Sequence, residues 1–356
     1  MSPSVVVKIG TSSITNPSGG VAHDVLANVA RDVSAARRQG WSVVVVTSGA
    51  ITAGWASVGG GRPRPHDATI LQAVSAVGQP LLMQAWGEAF TREALSVGQV
   101  LLSPLDFSDR AQYLHARGTL EALAALDVVA VVNENDAVAD EEIRFGDNDR
   151  LAALVANLVG ASHLVLLTDT DGLLTADPRL DPNATLIEEV TSFDEELIAS
   201  AGLSRSGVGS GGMASKLSAA RMATWSGVTA VIAPAHAEHA LARALAGETA
   251  FGTTFVARAD RLSARKSWIA FAVSSRGALS VNEGATRALM HEGRSLLRVG
   301  VTSVRGDFVE GDAVEVRGPR GEVLAKGLVR ASADAFADGD DVVIHRDDLV
   351  LLRSPE

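Results

Sequence analysis

Two lysines beside glycine-containing loops, and two acidic loops, are the residues in this chain whose types and spacing suit chemistry. Lys8 interrupts the apolar run SVVVKI near its end, just before Gly10-Thr11-Ser12-Ser13. A lysine in a buried strand is costly, so an ammonium held beside a Gly/Ser/Thr loop suits a phosphate. The competing reading is a lysine snorkelling at a sheet edge. Residues 206–216, SGVGSGGMASK, lead a glycine run into a helix whose first turn carries Lys216. Gly207, Gly209 and Gly212 match the dinucleotide spacing G-x-G-x-x-G, but the context rejects it. Residues 201–206 are polar and turn-like rather than a buried strand, and no acidic residue ends the next strand, TAVIA. Nor is there a Gly-Lys-Ser/Thr of a Walker loop. Backbone N–H groups, a helix N-terminus and an ammonium remain, and together they make a phosphate site, against the alternative of a surface turn.

The acidic and amide groups fall in residues 133–149, NENDAVADEEIRFGDND, and residues 168–172, TDTDG. Each follows an apolar run, which puts both at the carboxyl ends of strands, where open α/β sheets bind ligands. The first is a candidate floor for a polar substrate; as a solvated loop, it would use Asp147 or Asn148 merely to cap the next helix. Thr47-Ser48-Gly49-Ala50 likewise closes a strand and opens a helix, so its N–H groups and the Ser48 hydroxyl can receive an anion.

The elements that must position these groups alternate. Strands are expected at residues 4–9, 41–46, 99–103, 128–132, 163–167, 229–233 and 253–257. Between them lie helices, one with Leu26, Val29, Val33 and Ala36 on one face, another over residues 67–97 broken at Gly78-Gln79-Pro80, and further ones at residues 113–126, from Asp147, from Met213 and over residues 237–246. Residues 57–66, SVGGGRPRPH, carry too much Gly and Pro for regular structure. The pattern predicts a doubly wound α/β/α sandwich over residues 1–257, a charged linker over 258–275 and a smaller β-rich domain over 276–356.

Composition narrows the class. The 356 residues are 47% hydrophobic, enough for two cored domains, and contain no Cys, which removes disulfides, thiolate nucleophiles and zinc-thiolate sites together. His236 and His239, the one His pair at metal-ligand spacing, are expected on the solvated face of an Ala-rich helix, so no metal site is assigned to the protein. The start MSPSVVVKIG lacks the regions of a signal peptide and no window matches a membrane span, which predicts a cytoplasmic protein with no membrane partner. A net charge of −11 argues against nonspecific nucleic-acid binding.

Taken together, KIGTSSIT, VVVVTSGAITAG, AVGQ, VVNENDAVADEEIRFGDND, LLTDTDGLLTADPR, GVGSGGMASK and RKSW resemble the glutamate 5-kinases (gamma-glutamyl kinases) of the amino-acid kinase superfamily. The later VNEGATRALMHEGRSLL through VVIHRDDLVL resembles a PUA domain. The resemblance covers nearly the whole chain. It implies ATP-dependent phosphorylation of the γ-carboxylate of L-glutamate, the first step of proline synthesis. It implies that Ser48, Asp136 and Asn148 bind glutamate and that Asp149 orients Lys8 and Lys216. Lys8, Thr168, Asp169 and the run Ser210, Gly211, Gly212, Met213, Ala214, Ser215 and Lys216 would hold ATP, with Mg²⁺ held mainly by the nucleotide phosphates. It also implies proline as a feedback inhibitor, a homo-oligomer (dimer or tetramer) and functional coupling to glutamate-5-phosphate reductase. Two departures stand out. Leu71 and the preceding GGGRPRPH differ from the family's usual Lys and loop, and the PUA segment lacks a helical insertion, which predicts a shortened domain. The alternatives are a kinase of the same fold acting on aspartate, N-acetylglutamate or a phosphate monoester, and an RNA-binding protein. Against RNA, residues 276–356 hold 11 Lys and Arg against 14 Asp and Glu.

Overall fold

Val5, Val6, Val7 and Ile9 are all buried, so the strand they form, β1 (Ser4–Ile9), has protein on both faces, as a central parallel strand requires. The computed structural model describes residues 3–16, 19–138, 148–178, 180–193, 212–334 and 342–352. The chain divides into two units, Met1–Arg261 and Leu262–Glu356.

In the first unit, β1 is followed by α1 (Thr11–Ile14), α2 (His23–Arg38), β2 (Ser42–Val46), α3 (Ala50–Val58), α4 (Ala68–Thr91), β3 (Val97–Leu102), α5 (Pro104–Ser108), α6 (Arg110–Ala125) and β4 (Val129–Glu134). Then come α7 (Asn148–Leu158), β5 (His163–Thr168), β6 (Glu189–Val190), α8 (Met213–Trp225), β7 (Thr229–Pro234), α9 (Ala240–Ala246) and β8 (Thr253–Phe255). Among the described residues the sheet has eight strands in the order β3-β4-β2-β1-β5-β7-β8-β6. Pairing is parallel except between β7 and β8. The chain builds outward from β1 through β2 and then crosses back to β5 on the other side. The switch point therefore lies between β1 and β5, the place where such sheets open a crevice for ligands.

The core explains the facing of β1. Val5, Val7 and Ile9 pack with Leu26, Val29 and Val33 of α2 and with Trp86 and Phe90 of α4. Alternation along a strand then turns Val6 and Lys8 to the opposite face, onto which α7 packs.

Two local expectations differ from the structure. α4 runs unbroken through Gly78-Gln79-Pro80, with Pro80 inside it, because Val74, Ser75, Gly78, Gln79 and Leu82 are all buried and tertiary packing holds the helix across the lost hydrogen bond. The helix expected over residues 237–246 begins only at Ala240, after His239 takes a left-handed conformation (φ 55°) at its N-cap, so His236 and His239 lie ahead of the helix, exposed. The last strand pairs antiparallel to β7, which makes the sheet mixed.

The second unit has α10 (Ala264–Ser267), β9 (Ser275–Val281), α11 (Glu283–Glu292), β10 (Leu296–Leu297), β11 (Val301–Gly306), β12 (Ala313–Arg317), β13 (Val323–Leu328), β14 (Val342–Ile344) and β15 (Leu349–Leu351). Its described strands make a five-stranded sheet in the order β11-β9-β12-β13-β15 and a β10-β14 pair. Leu279, Val281, Leu289, Phe308, Val314, Val316 and Ile344 fill its core. The apolar Trp268–Ala272 turn cannot lie in solvent as a linker: Ile269 and Ala270 are buried with Val350. The buried Lys326 ammonium donates to the carbonyls of Ala270 and Val273, fixing that turn to β13. The unit thus starts at Leu262, ahead of the boundary expected at residue 276.

Candidate active site

Strand register places the chemistry-bearing residues along one edge. Val132, Val46, Lys8, Leu166 and Ile232 are paired across β4, β2, β1, β5 and β7. The residues just beyond this row are therefore neighbours at the carboxyl edge: Asn133-Glu134 at the end of β4 and the turn after it, Thr47-Ser48-Gly49, the Gly10 loop and Thr168-Asp169. The snorkelling reading of Lys8 fails, because β1 is a central strand and Lys8 is 4% exposed.

Lys8 points at α7, whose first turn supplies Asp149. Lys8 Nζ lies 2.7 Å from Asp149 Oδ1, and Lys216 Nζ, from the first turn of α8, lies 3.4 Å from Asp149 Oδ2. Ser215 Oγ donates to the same Oδ2 at 3.1 Å. All three charged groups are buried, Asp149 at 1% exposure and Lys216 at 7%. Burial opposes ionisation of Asp149, yet the ammonium groups of Lys8 and then Lys216, with the hydrogen bonds to it, outweigh burial and hold its carboxyl below the ordinary range. One ionised carboxylate thus fixes two ammonium groups, one on each side of the sheet's switch point, where they can meet an anion together.

The second cluster is built on β4 and α4. Asp136 opens a short 3-10 turn, Asp136–Val138, two residues after β4 ends, and is 5% exposed. Ser75 Oγ of α4 donates to Asp136 Oδ2 at 3.2 Å, while Asp136 Oδ1 is buried without a partner among the described residues. Burial, partly offset by the Ser75 hydrogen bond and by the positive charge of Arg64, pushes the Asp136 carboxyl up to about 6. A buried carboxylate oxygen with no donor is a site for a cation or an N–H group. Beside it, Asn148 Oδ1 accepts from Glu134 N at 3.3 Å, and Asn133 Nδ2 donates to Gln79 Oε1 at 2.8 Å. Gln79 Nε2 in turn donates to Gln99 Oε1 at 3.3 Å.

The Ser48 loop is set by α3 and α4. Gly49 holds φ at 101° as the N-cap of α3, and a Cβ there would sit 2.8 Å from the Ile14 side chain. Thr47 is pinned from two sides, its N–H on Val132 O at 2.9 Å and its hydroxyl receiving the Trp86 indole N–H at 3.0 Å. Ser48 itself is buried, and among the described residues its hydroxyl makes no hydrogen bond. α3 and α4 cross in backbone contact: a Cβ on Gly54 would lie 2.0 Å from Val74 O, and one on Gly78 1.8 Å from Ala50 O.

The structure therefore brings Lys8, Asp149, Ser215 and Lys216 into contact and places Asp136, Asn148 and Ser48 on the same sheet edge. Thr168 is buried at the end of β5, its hydroxyl donating to Asp169 Oδ1 at 3.1 Å. Gly212 caps α8, with Met213 and Ala214 in its first turn. Ser210, Gly211 and residues 139–147 lie outside the described residues. Sequence reasoning missed Ser75, Gln79 and Trp86. Their signal was available: they recur at i, i+4 and i+11 along α4, polar or N–H-bearing groups on a face that also buries Leu82.

Comparison with known proteins follows this geometry. The amino acid kinase family profile matches residues 3–234, and the PUA domain profile residues 277–348. The chain is 47% identical over 334 residues to a glutamate 5-kinase of Mycobacterium avium (strain 104), covering 94% of this chain and 89% of that one. It is 47% identical over 361 residues to a glutamate 5-kinase of Rhodococcus opacus (strain B4), covering 98% and 97%. Among solved structures, an isopentenyl phosphate kinase superposes with a TM-score of 0.50 at 18% identity, over 71% of this chain and 100% of that one, a likeness of fold alone.

Proposed function

Because the chain belongs to the glutamate 5-kinases of the amino acid kinase family, we propose that it transfers the γ-phosphoryl group of ATP to the γ-carboxylate of L-glutamate, giving L-glutamate 5-phosphate and ADP. The observation that carries the substrate reading is the buried, half-satisfied carboxylate of Asp136 on the same edge as the Lys8–Asp149–Lys216 cluster. An α-ammonium completes Asp136 Oδ1, and Asn148 and Ser48 offer an amide and a hydroxyl to the rest of the amino acid.

In the reaction, a γ-carboxylate oxygen forms a bond to the γ-phosphorus as the bond to the ADP oxygen breaks. No proton moves. The nucleophile is ionised at neutral pH, so the site needs no general base. Its difficulty is the approach of an anion to a triphosphate, and the two buried ammonium groups answer it. Lys8 and Lys216 stabilise negative charge spreading over the transferring group, and Asp149 holds both in place. Thr168, Asp169 and the first turn of α8, with Ser210 and Gly211 before it, form the nucleotide end of the proposal. Among the described residues no group of three or more His, Cys, Asp or Glu converges as a metal cage. Mg²⁺ would be held mainly by the nucleotide's own phosphate oxygens, as the family resemblance implies, and would add to the charge neutralisation that Lys8 and Lys216 supply.

The second unit contributes through assembly or regulation in this reading. The dimer or tetramer, proline inhibition and hand-over of the reactive acyl phosphate to glutamate-5-phosphate reductase belong to the same proposal. Hydroxylamine trapping with ATP and a panel of acids tests the core of it. L-glutamate is expected to give hydroxamate and ADP together; preference for aspartate or N-acetylglutamate would replace the substrate assignment.

A further inference from the structure

We propose that Ser75 is a positioning residue for substrate binding, its hydroxyl locking the Asp136 carboxylate so that Oδ1 faces the incoming ammonium. This deepens the glutamate reading and rests on it. A carboxylate on a short turn can rotate and present either oxygen; a donor fixed on one of them chooses the other. Ser75 is such a donor, at 3.2 Å from Oδ2, while Oδ1 is buried with no partner among the described residues. The donor is itself held rigidly. Ser75 lies one turn before Gly78, where α4 is in backbone contact with α3 and a Cβ would meet Ala50 O at 1.8 Å, so this part of the helix cannot draw back from α3 without opening the crossing.

The rest of the helix face supports the role. Ser75, Gln79 and Trp86 lie within about 40° of one another around α4 at 100° per residue. Each holds a different part of the amino-acid end: Ser75 holds Asp136, Gln79 holds Asn133, and Trp86 holds Thr47 beside Ser48. The hydroxyl also helps keep a buried carboxylate ionised. Burial is the largest influence on Asp136 and acts against ionisation; Ser75 and then Arg64, an exposed residue of the loop before α4, act for it. Removing the hydroxyl leaves both oxygens without a side-chain donor among the described residues and leaves only Arg64 to favour the charged form.

The test is steady-state kinetics on the full chain carrying Ser75→Ala, Asp136→Asn and both. Ser75→Ala is expected to raise the KM for glutamate about tenfold at neutral pH, the size of one hydrogen bond to a charged group, with kcat and the KM for ATP within about twofold. Ser75→Cys, nearly isosteric with a weak donor, is expected to fall between. In the Asp136→Asn background, adding Ser75→Ala is expected to change kcat/KM for glutamate less than twofold. Equal effects of Ser75→Ala in both backgrounds, or parallel losses in kcat and both KM values, would overturn the positioning role. If Asp136→Asn raises the KM for glutamate and Ser75→Ala does not, only the Ser75 proposal fails. If Asp136→Asn leaves that KM unchanged, the ammonium reading of Asp136 fails first.

Discussion

Lowering the pH should switch off glutamate capture at a value set by Asp136. Burial, the dominant influence, puts its carboxyl at about 6, against 3.8 for an ordinary aspartate, and the Ser75 hydrogen bond and Arg64 offset it only in part. In the proposed binding mode the substrate ammonium pairs with the ionised form. Because the value is raised, the ionised fraction falls as pH drops through about 6, where an ordinary aspartate would stay charged. The fraction is about 97% at pH 7.5, about 24% at pH 5.5 and about 9% at pH 5. The kcat/KM for glutamate should therefore fall about fourfold from pH 7.5 to 5.5 and about tenfold by pH 5. The substrate cannot account for this, since its own γ-carboxyl, near ~4.3, remains about 80% ionised at pH 5. Nor can Asp149, which its lysines hold below the ordinary range. The assay is kcat/KM for glutamate at saturating ATP from pH 5 to 8, with Asp136→Asn alongside. The acid limb should appear in the natural chain and vanish in the variant, whose kcat/KM is low throughout. A flat profile to pH 5 in the natural chain, or an unchanged limb in the variant, refutes the reasoning.

Three further outcomes are expected. Lys216→Ala should lower kcat far more than it raises the KM for glutamate, because its charge matters most as the phosphoryl group moves; a changed KM with normal kcat would remove it from the transition state. Gly78→Ala puts a Cβ 1.8 Å from Ala50 O and should cost on the order of 3 kcal/mol in urea unfolding, with weaker glutamate binding; a loss under about 0.5 kcal/mol would contradict the crossing. A chain ending at Arg261 should fold and phosphorylate glutamate, whereas one ending just after Val273 should aggregate, because Ile269 and Ala270 lose the core they share with Val350; a soluble, well-folded but inactive Arg261 chain would give the second unit a part in catalysis.

The Lys8–Asp149–Lys216 cluster was largely legible in the sequence, because burying a lysine is costly enough to announce itself. Lys8 in SVVVKI and Lys216 after a glycine run were conspicuous, and Asp149 joins them as the resemblance implied. The strand and helix alternation was equally plain, down to the central apolar strand β1. The cluster around Asp136 was harder. Ser75 and Gln79 sit in AVSAVGQP, which reads as a helix about to break at Gly-Gln-Pro. The break does not occur, and only the continuous helix brings Trp86 onto the face that carries Ser75. The contacts that matter there join residues 61, 54 and 39 positions apart, and no local pattern encodes such pairs. The compact second unit begins at Leu262, inside the charged RADRLSARKS, while the PUA profile begins at residue 277, so the apolar turn between them belongs to the unit without belonging to the matched domain.

The contact between α3 and α4 also limits how this chain can vary. Each glycine there is occluded by the other helix's main chain, Gly54 by Val74 O and Gly78 by Ala50 O, and not by a side chain that a second mutation could trim. A lesion at either position therefore has no local suppressor. Reversion has to come from changes that separate the helices along their length, and those displace Ser75, Gln79 and Trp86 together with the loops they hold. Restored folding and restored glutamate affinity should then part company among revertants, which makes this crossing a place where selection for stability and selection for activity pull on different residues.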